Sequence, residues 1–132
     1  MEERTESAQH ARHYTVEQAN AALPWVSERL LRIRDALGEL LAPDSTRALE
    51  QIDTDRGGGY PGRAAAGATL TLVAAAGQLQ AVDVVLRDPA SGLIDFPSIR
   101  DGEEVYLCWR PGEERVGWWH EPDAGLAGRQ PL

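Results

Sequence analysis

The sequence contains no lysine and only one cysteine, Cys108, among its 132 residues. The lack of lysine excludes Schiff-base chemistry through that side chain and any phosphate-binding loop that depends on it. A lone cysteine excludes a disulfide within the chain, and the reducing cytoplasm is its simplest setting. No apolar run approaches the roughly 18 residues that span a bilayer, and residues 1–13 lack the apolar core of a secretion signal. We therefore expect a cytoplasmic protein without a membrane partner.

Positive charge is also scarce. Thirteen basic residues, all arginine, stand against 21 acidic ones, so the formal net charge is −8. Because binding to a nucleic-acid backbone needs a basic face, this charge argues against a nucleic-acid partner. Hydrophobic residues at 42% and charged residues at 26% are typical of a folded chain, and the length suits one domain. The expected organisation is a flexible leader over 1–13 and a single domain over 14–132.

The clearest pattern is an apolar seam that predicts a long first helix over about 15–41. Thr15 and Gln18 have capping-box spacing at its start. Pro24 lies within the seam and removes one backbone hydrogen bond. It predicts either a kink or a helix end near Ala22 with a restart at Pro24, and the restart or a marked bend is favoured. The seam residues alternate at spacings of three and four: Val16, Ala19, Leu23, Val26, Leu30, Ile33, Leu37 and Leu40.

A second amphipathic helix is predicted over about 64–82. The segment 44–62 before it contains three consecutive glycines and Pro61. It lacks the lysine and the preceding strand of a nucleotide-binding loop, so we interpret it as a mobile connector. Two helices of similar length joined by such a connector predict an antiparallel hairpin. The apolar residues of the second helix again step by four and three: Ala68, Leu72, Ala75, Leu79 and Val82.

After position 83 the hydrophobic period becomes strand-like. Strands are predicted within 83–120, with Pro97 closing one of them and turns at Asp101-Gly102 and Pro111-Gly112. Residues 121–132 are expected to be coil. Helices first and strands second favour an α+β fold. The predicted architecture is an antiparallel helical hairpin packed on a small antiparallel sheet of three to four strands.

Several separate motifs occur in order along the chain and resemble domain-of-unknown-function family 2203. They are the stretch from Tyr14-Thr15 to Leu23-Pro24, then Gly92-Leu93-Ile94-Asp95-Phe96-Pro97, Val105-Tyr106-Leu107-Cys108-Trp109, Gly112-Glu113, Trp119-His120-Glu121 and Gly128-Arg129-Gln130-Pro131. The segment 44–62 does not contribute. The resemblance implies a small bacterial protein of the cytosol, and the family has no established activity to transfer.

The C-terminal third also concentrates side chains capable of binding chemistry. The candidate ligand-binding residues are Asp95, Glu113, His120, Glu121 and Arg129, beside Trp109 and Trp119. With Cys108 and Glu114 nearby, thiol, imidazole and carboxylate are all present, and all are competent zinc ligands. Their spacing matches no zinc motif.

The two polar residues nearest the C-terminus each have two interpretations. His120 is either a general base or single-metal ligand with an acidic partner, or a structural histidine that hydrogen-bonds the C-terminal coil, which is favoured. Arg129 either holds an anionic ligand or has a structural role, which is favoured. In that role it ties the tail to Asp95 or Glu113, or stacks on Trp109 or Trp119.

Strand parity gives a test of a metal pair. If the turn between residues 109 and 116 has an even number of residues, Cys108 and His120 lie on opposite faces of the sheet. His120 then lies opposite Glu103 or Val105, and a Cys108–His120 pair needs a bulge. The simpler interpretation of Cys108 is a small buried hydrophobe.

Two functions remain open. The first is a homo-oligomeric interaction module, most simply a homodimer, in which alanines on the helices leave room for a second hairpin and an uncovered tryptophan forms a contact site. The alternative is a small-ligand or metal-binding site centred on His120 with neighbouring carboxylates and Arg129. No nucleophile–base–orienter triad is visible, so no enzyme activity, cofactor or natural ligand is assigned.

Overall fold

The computed structural model of the protein describes residues 10–42 and 60–132, without the side chains of residues 60 and 61. Most of the predicted connector 44–62 therefore lies outside the described residues. No helix within these ranges is long and apolar enough to cross a membrane. The elements in chain order are α1 (Val16–Leu41), α2 (Tyr60–Ala81), β1 (Val85–Asp88), β2 (Leu93–Arg100), β3 (Glu103–Trp109), β4 (Trp118–His120), a 3-10 turn (Leu126–Gly128) and β5 (Gln130–Pro131).

Helix α1 begins at the predicted capping box. The Thr15 hydroxyl accepts the backbone N–H of Gln18, and the Gln18 side chain accepts the backbone N–H of Thr15, each over 3.0 Å. The helix then runs unbroken through Pro24, so the predicted restart is wrong. Pro24 itself is exposed, while Ala19 and Val26 on either side of it are fully buried. Packing on both sides of the proline offsets its missing hydrogen bond.

Helices α1 and α2 form the predicted hairpin. Small buried residues on α2, among them Ala68 and Ala75, allow α1 to approach closely. The Arg29 side chain on α1 donates to the Gln78 side chain on α2 across 2.9 Å. Helix α2 begins at Tyr60 rather than near residue 64, so residues 60–62 are helical and not part of a connector.

The five strands form one antiparallel sheet in the order β1-β2-β3-β4-β5. The prediction that Pro97 closes β2 is wrong, because the strand continues to Arg100. Pairing with β1 ends at Asp95, so the edge of β2 at Pro97 needs no ladder N–H. The carbonyl of Pro97 accepts the backbone N–H of Tyr14 there, over 2.7 Å.

Both predicted turns are confirmed. Asp101 and Gly102 have φ angles of 53° and 82°, as a two-residue type I′ hairpin requires. At the second turn the Arg110 carbonyl accepts the backbone N–H of Glu113 over 3.1 Å, and Gly112 has a φ of 104°. That conformation suits the third position of a type II turn.

The C-terminal residues are more regular than the predicted coil. After the 3-10 turn, Gln130 and Pro131 pair with β4 and add a fifth strand. The backbone N–H of Leu132 also donates to the Gly117 carbonyl over 3.0 Å. The sheet therefore has five strands where three or four were expected, and the tail forms one of its two edges.

The two faces of the sheet are buried in different ways. One face packs on the helical hairpin and forms the hydrophobic core, with Ile94, Phe96, Leu107 and Trp109 against α1 and α2. The opposite face is also buried but is mostly polar. Its buried residues are Asp95, Pro97, Tyr106, Cys108 and His120.

The N-terminal residues help to cover the polar face. His10 contacts Asp83 and the Tyr106 hydroxyl through its two ring nitrogens, at 3.4 and 2.9 Å. His13 Nε2 lies 2.8 Å from a carboxylate oxygen of Glu104. Residues 10–13 thus differ from the flexible leader expected over 1–13, while residues 1–9 lie outside the described part. The partners that hold them are polar side chains far away in sequence.

Candidate functional site

Three buried side chains from three neighbouring strands meet on the polar face. Asp95 comes from β2, Cys108 from β3 and His120 from β4. A carboxylate oxygen, the thiol sulfur and a ring nitrogen all lie within 4.8 Å of one another. Each residue is at most 2% exposed. We refer to them as the Asp95–Cys108–His120 cluster.

Both ring nitrogens of His120 face hydrogen-bond acceptors. Nδ1 is 2.7 Å from the backbone carbonyl oxygen of Glu121, which can only accept, so Nδ1 carries a hydrogen. Nε2 is 2.9 Å from Oδ2 of Asp95, so a hydrogen bond joins the imidazole to the carboxylate. When Nε2 carries no hydrogen, its lone pair points into the cluster. An N–H fixed on a backbone carbonyl with the other nitrogen free is the usual arrangement of a metal-ligating histidine.

The two carboxylate oxygens of Asp95 have different surroundings. Oδ2 accepts hydrogen bonds from His120 Nε2 and from Arg87 Nε, the latter over 2.7 Å. Oδ1 is buried and has no hydrogen-bond partner within the described residues. A buried polar atom without a partner costs free energy. Oδ1 is therefore an acceptor that a ligand or ion would satisfy.

Cys108 is a protonated thiol at neutral pH. Burial raises its pKa from 9.0 to about 11, and the negative charge of Asp95 adds to the rise. Because the thiolate is the nucleophile, such a thiol is poorly suited to covalent catalysis. A divalent metal ion, in contrast, removes the thiol proton as it binds. The cluster thus suits metal ligation better than thiol chemistry.

A cavity of about 240 Å³ lies beside the cluster. Its wall contains the three cluster residues, Arg87, Leu93 and the C-terminal segment 122–126. A Cβ atom added at Gly128 would overlap the Cβ of Ala124, so only glycine lets the 3-10 turn close against this segment. The cluster therefore has a space next to it in which a ligand fits.

The even-numbered connection that would separate Cys108 from His120 does not occur. The register pairs Cys108 with Trp118, which places both cluster residues on one face without a bulge. Continued by one pair, the same register sets Trp109 opposite Gly117, with residues 110–116 between them. The connection has an odd number of residues, because irregular residues follow the tight turn. An odd number places each β4 side chain on the opposite face from the one that an even number would give.

Two residues near the cluster escaped the sequence reasoning. Tyr106, rather than Glu103 or Val105, lies opposite His120. The two rings are 5.5 Å apart between centroids. The Arg87 guanidinium lies 4.8 Å from the Tyr106 ring centroid. The sequence could have indicated Arg87 only if β1 were aligned with β2 so that Arg87 and Asp95 share a face of the sheet. The sequence does not determine that register.

Glu113 and Arg129 form a separate pair outside the cluster. Arg129 donates to a Glu113 carboxylate oxygen over 2.7 Å, and its guanidinium lies 4.8 Å from the ring centroid of Trp118. This contact is the tie between the tail and Glu113 described among the alternatives for Arg129. Glu121 contributes its backbone carbonyl to His120 while its side chain is exposed, as is that of Glu114.

The two predicted tryptophans lie on the opposite face from the cluster. Trp109 belongs to the hydrophobic core and donates its indole N–H to the Glu113 carbonyl over 3.1 Å. Trp119 is half-buried against the same core, and the Arg100 guanidinium lies 4.4 Å from its ring. The structure therefore joins Asp95 and His120 but not the other predicted site residues.

The fold and the site together define a small α+β protein, with a helical hairpin on one face of an antiparallel sheet and a buried Asp–Cys–His cluster on the other. The chain belongs to domain-of-unknown-function family 2203 (DUF2203), described as uncharacterized conserved proteins, whose family model matches residues 12–132. The resemblance noted in its motifs is thereby confirmed. Comparison with curated proteins and with solved structures gave no match.

Proposed function

We propose that the protein binds one divalent metal ion, zinc by preference, at the Asp95–Cys108–His120 cluster. The observation that favours this function most is the buried Oδ1 atom of Asp95, which has no hydrogen-bond partner among the described residues and belongs to a carboxylate that lies close to a thiol and an imidazole. A buried oxygen without a partner carries a desolvation penalty. An ion ligated by it would remove the penalty.

The type of ligand favours zinc. Thiolate, imidazole and carboxylate are its usual protein ligands, at about 2.0–2.3 Å from the ion. In a tetrahedron of that size the ligand atoms lie about 3.3–3.8 Å apart, so the cluster closes around an ion through small side-chain movements. The ion would take the place of the hydrogen between Asp95 and His120. Three protein ligands leave a fourth position for a molecule in the cavity, as in reactive rather than purely structural zinc sites.

Metal analysis of the full chain, purified without a histidine tag, tests this proposal. We expect one zinc ion per chain and a melting temperature that falls on chelation, since an ion at 100 times its dissociation constant adds about 2.7 kcal/mol of stability. Replacement by cobalt should give the near-ultraviolet absorption of a cobalt–thiolate bond.

Ligand variants and a matched control sharpen the test. Asp95→Asn and Cys108→Ser should each weaken zinc binding at least tenfold, and Cys108→Ser should remove the thiolate absorption. Glu121→Gln removes an exposed carboxylate close to His120 and should leave zinc binding unchanged. If the protein contains less than one zinc ion per chain and its melting temperature does not change on chelation, the metal centre is refuted.

A second candidate function is self-association, most simply a homodimer. Leu70 and Val73 are 71% and 64% exposed on α2, and a spacing of three places them on one face of the helix. Exposed neighbouring apolar side chains of this kind favour a protein contact. This function does not exclude the metal centre, which lies on the far side of the sheet.

We also propose a bacterial, cytoplasmic location. The single thiol, Cys108, belongs to the cluster. A reducing compartment keeps such a thiol available as a metal ligand.

A further inference from the structure

The cavity beside the cluster has a wall of mixed chemistry. Its volume of about 240 Å³ is several times the roughly 30 Å³ that a water molecule occupies in the liquid. Outside the cluster, Arg87 is its one cationic residue and Asp123 its one carboxylate among the described residues. The rest of the wall is formed by Leu93, Pro122, Ala124, Gly125 and Leu126.

Arg87 is held in a fixed orientation at this cavity. Its Nε donates to Asp95 Oδ2 over 2.7 Å, and its guanidinium lies against the Tyr106 ring. The side chain is still 40% exposed, and Asp95 is its one ion-pair partner in the part of the chain that the structure describes. Arginine has five N–H donors, so the terminal nitrogens remain able to bind a carboxylate through two parallel hydrogen bonds.

The charges favour an anion of single charge. The Cys108 thiolate and the Asp95 carboxylate together offset the two positive charges of the ion. Because the charge of Asp95 is then offset by the ion, the positive charge of Arg87 is left over, and the site has a net charge of about +1 before an anion binds. Asp123 opposes an anion, but it is exposed, where water and salt screen its field.

We infer that the cavity binds a small monocarboxylate, with its oxygens on the metal ion and Arg87 and a short apolar body against Leu93 and Leu126. This inference rests on the metal centre proposed above. It assigns to the open metal position a class of ligand that the cluster alone does not specify.

Cobalt-loaded protein titrated with butyrate, acetate and butyramide tests the inference. Butyrate should shift the visible cobalt bands and bind about tenfold more tightly than acetate, because its two additional CH₂ groups are buried. Butyramide has the same shape without the charge and should leave the bands unchanged.

Two charge variants give opposite expectations. Arg87→Gln should weaken butyrate binding at least tenfold and leave cobalt bound, because Arg87 is not a metal ligand. Asp123→Asn should strengthen butyrate binding only slightly, because the repulsive charge that is lost is screened by water and salt. If cobalt binds but its bands do not change with butyrate, or change equally with butyramide, the inference is overturned and the metal centre is not. Failure to bind cobalt would overturn both.

Discussion

Burial sets the protonation of the cluster thiol. The pKa of Cys108 rises to about 11 because the thiolate is desolvated, and because Asp95 repels it. Since the ordinary value is 9.0, the unfolded chain releases this proton at lower pH than the folded chain does. The contribution to stability is therefore complete below pH 9 and disappears as the pH rises towards 11.

We expect the metal-free protein to lose about 2 kcal/mol of unfolding free energy relative to Cys108→Ala between pH 9 and pH 11. Urea unfolding of both proteins across this range measures the difference. The Tyr14 and Tyr106 hydroxyls, whose pKa values burial also raises, are present in both and cancel. A constant difference across the range would show that the thiol is not desolvated as described.

At the scale of elements, the cost of Pro24 within α1 is the clearest test of local energetics. The helix continues through it, so the carbonyl four residues earlier lacks its usual N–H partner. The side chain is exposed, so little packing is lost when it is replaced.

We expect Pro24→Ala to raise the free energy of unfolding by about 1–3 kcal/mol, because the hydrogen bond and the helical propensity are restored. Thermal or urea unfolding measures the gain. Gly38→Ala serves as the matched comparison, since a Cβ there meets nothing within 4 Å and should add only about 0.5–1 kcal/mol. A gain for Pro24→Ala no larger than that of Gly38→Ala would contradict the assigned cost.

The sequence predicted what depends on local periodicity and missed what depends on loop geometry. The α1 seam and the Asp101-Gly102 turn are confirmed because neighbouring residues determine both. The sequence did not place Cys108 and His120 on the same face of the sheet, because one additional residue in the irregular connection 110–116 reverses the parity of β4. The attachment of His10 was missed because its partners lie more than 70 residues away, where no periodic signal reaches.

At the scale of the whole molecule, a net charge of −8 opposes self-association, and salt weakens that repulsion. The exposed pair Leu70 and Val73 on α2 favours it. Which of the two effects dominates decides the oligomeric state.

We expect a dimer, at twice 14.4 kDa, in sedimentation at low micromolar concentration and physiological salt. The double variant Leu70→Glu with Val73→Glu should give a monomer. Ile99→Glu, which adds one negative charge at an exposed residue of β2, should leave the dimer intact. A wild-type monomer under these conditions would rule out the homodimer.

The difference between the two sheet faces also guards against misfolding. A register shift of one residue between β2 and β3 would bury a carboxylate or a thiol in the hydrophobic core beneath the helices. It would also place Phe96 or Leu107 on the polar face of the sheet. Each misaligned pairing thus carries a double penalty. The residues proposed to bind an ion therefore also disfavour the wrong strand register, whether or not an ion is bound.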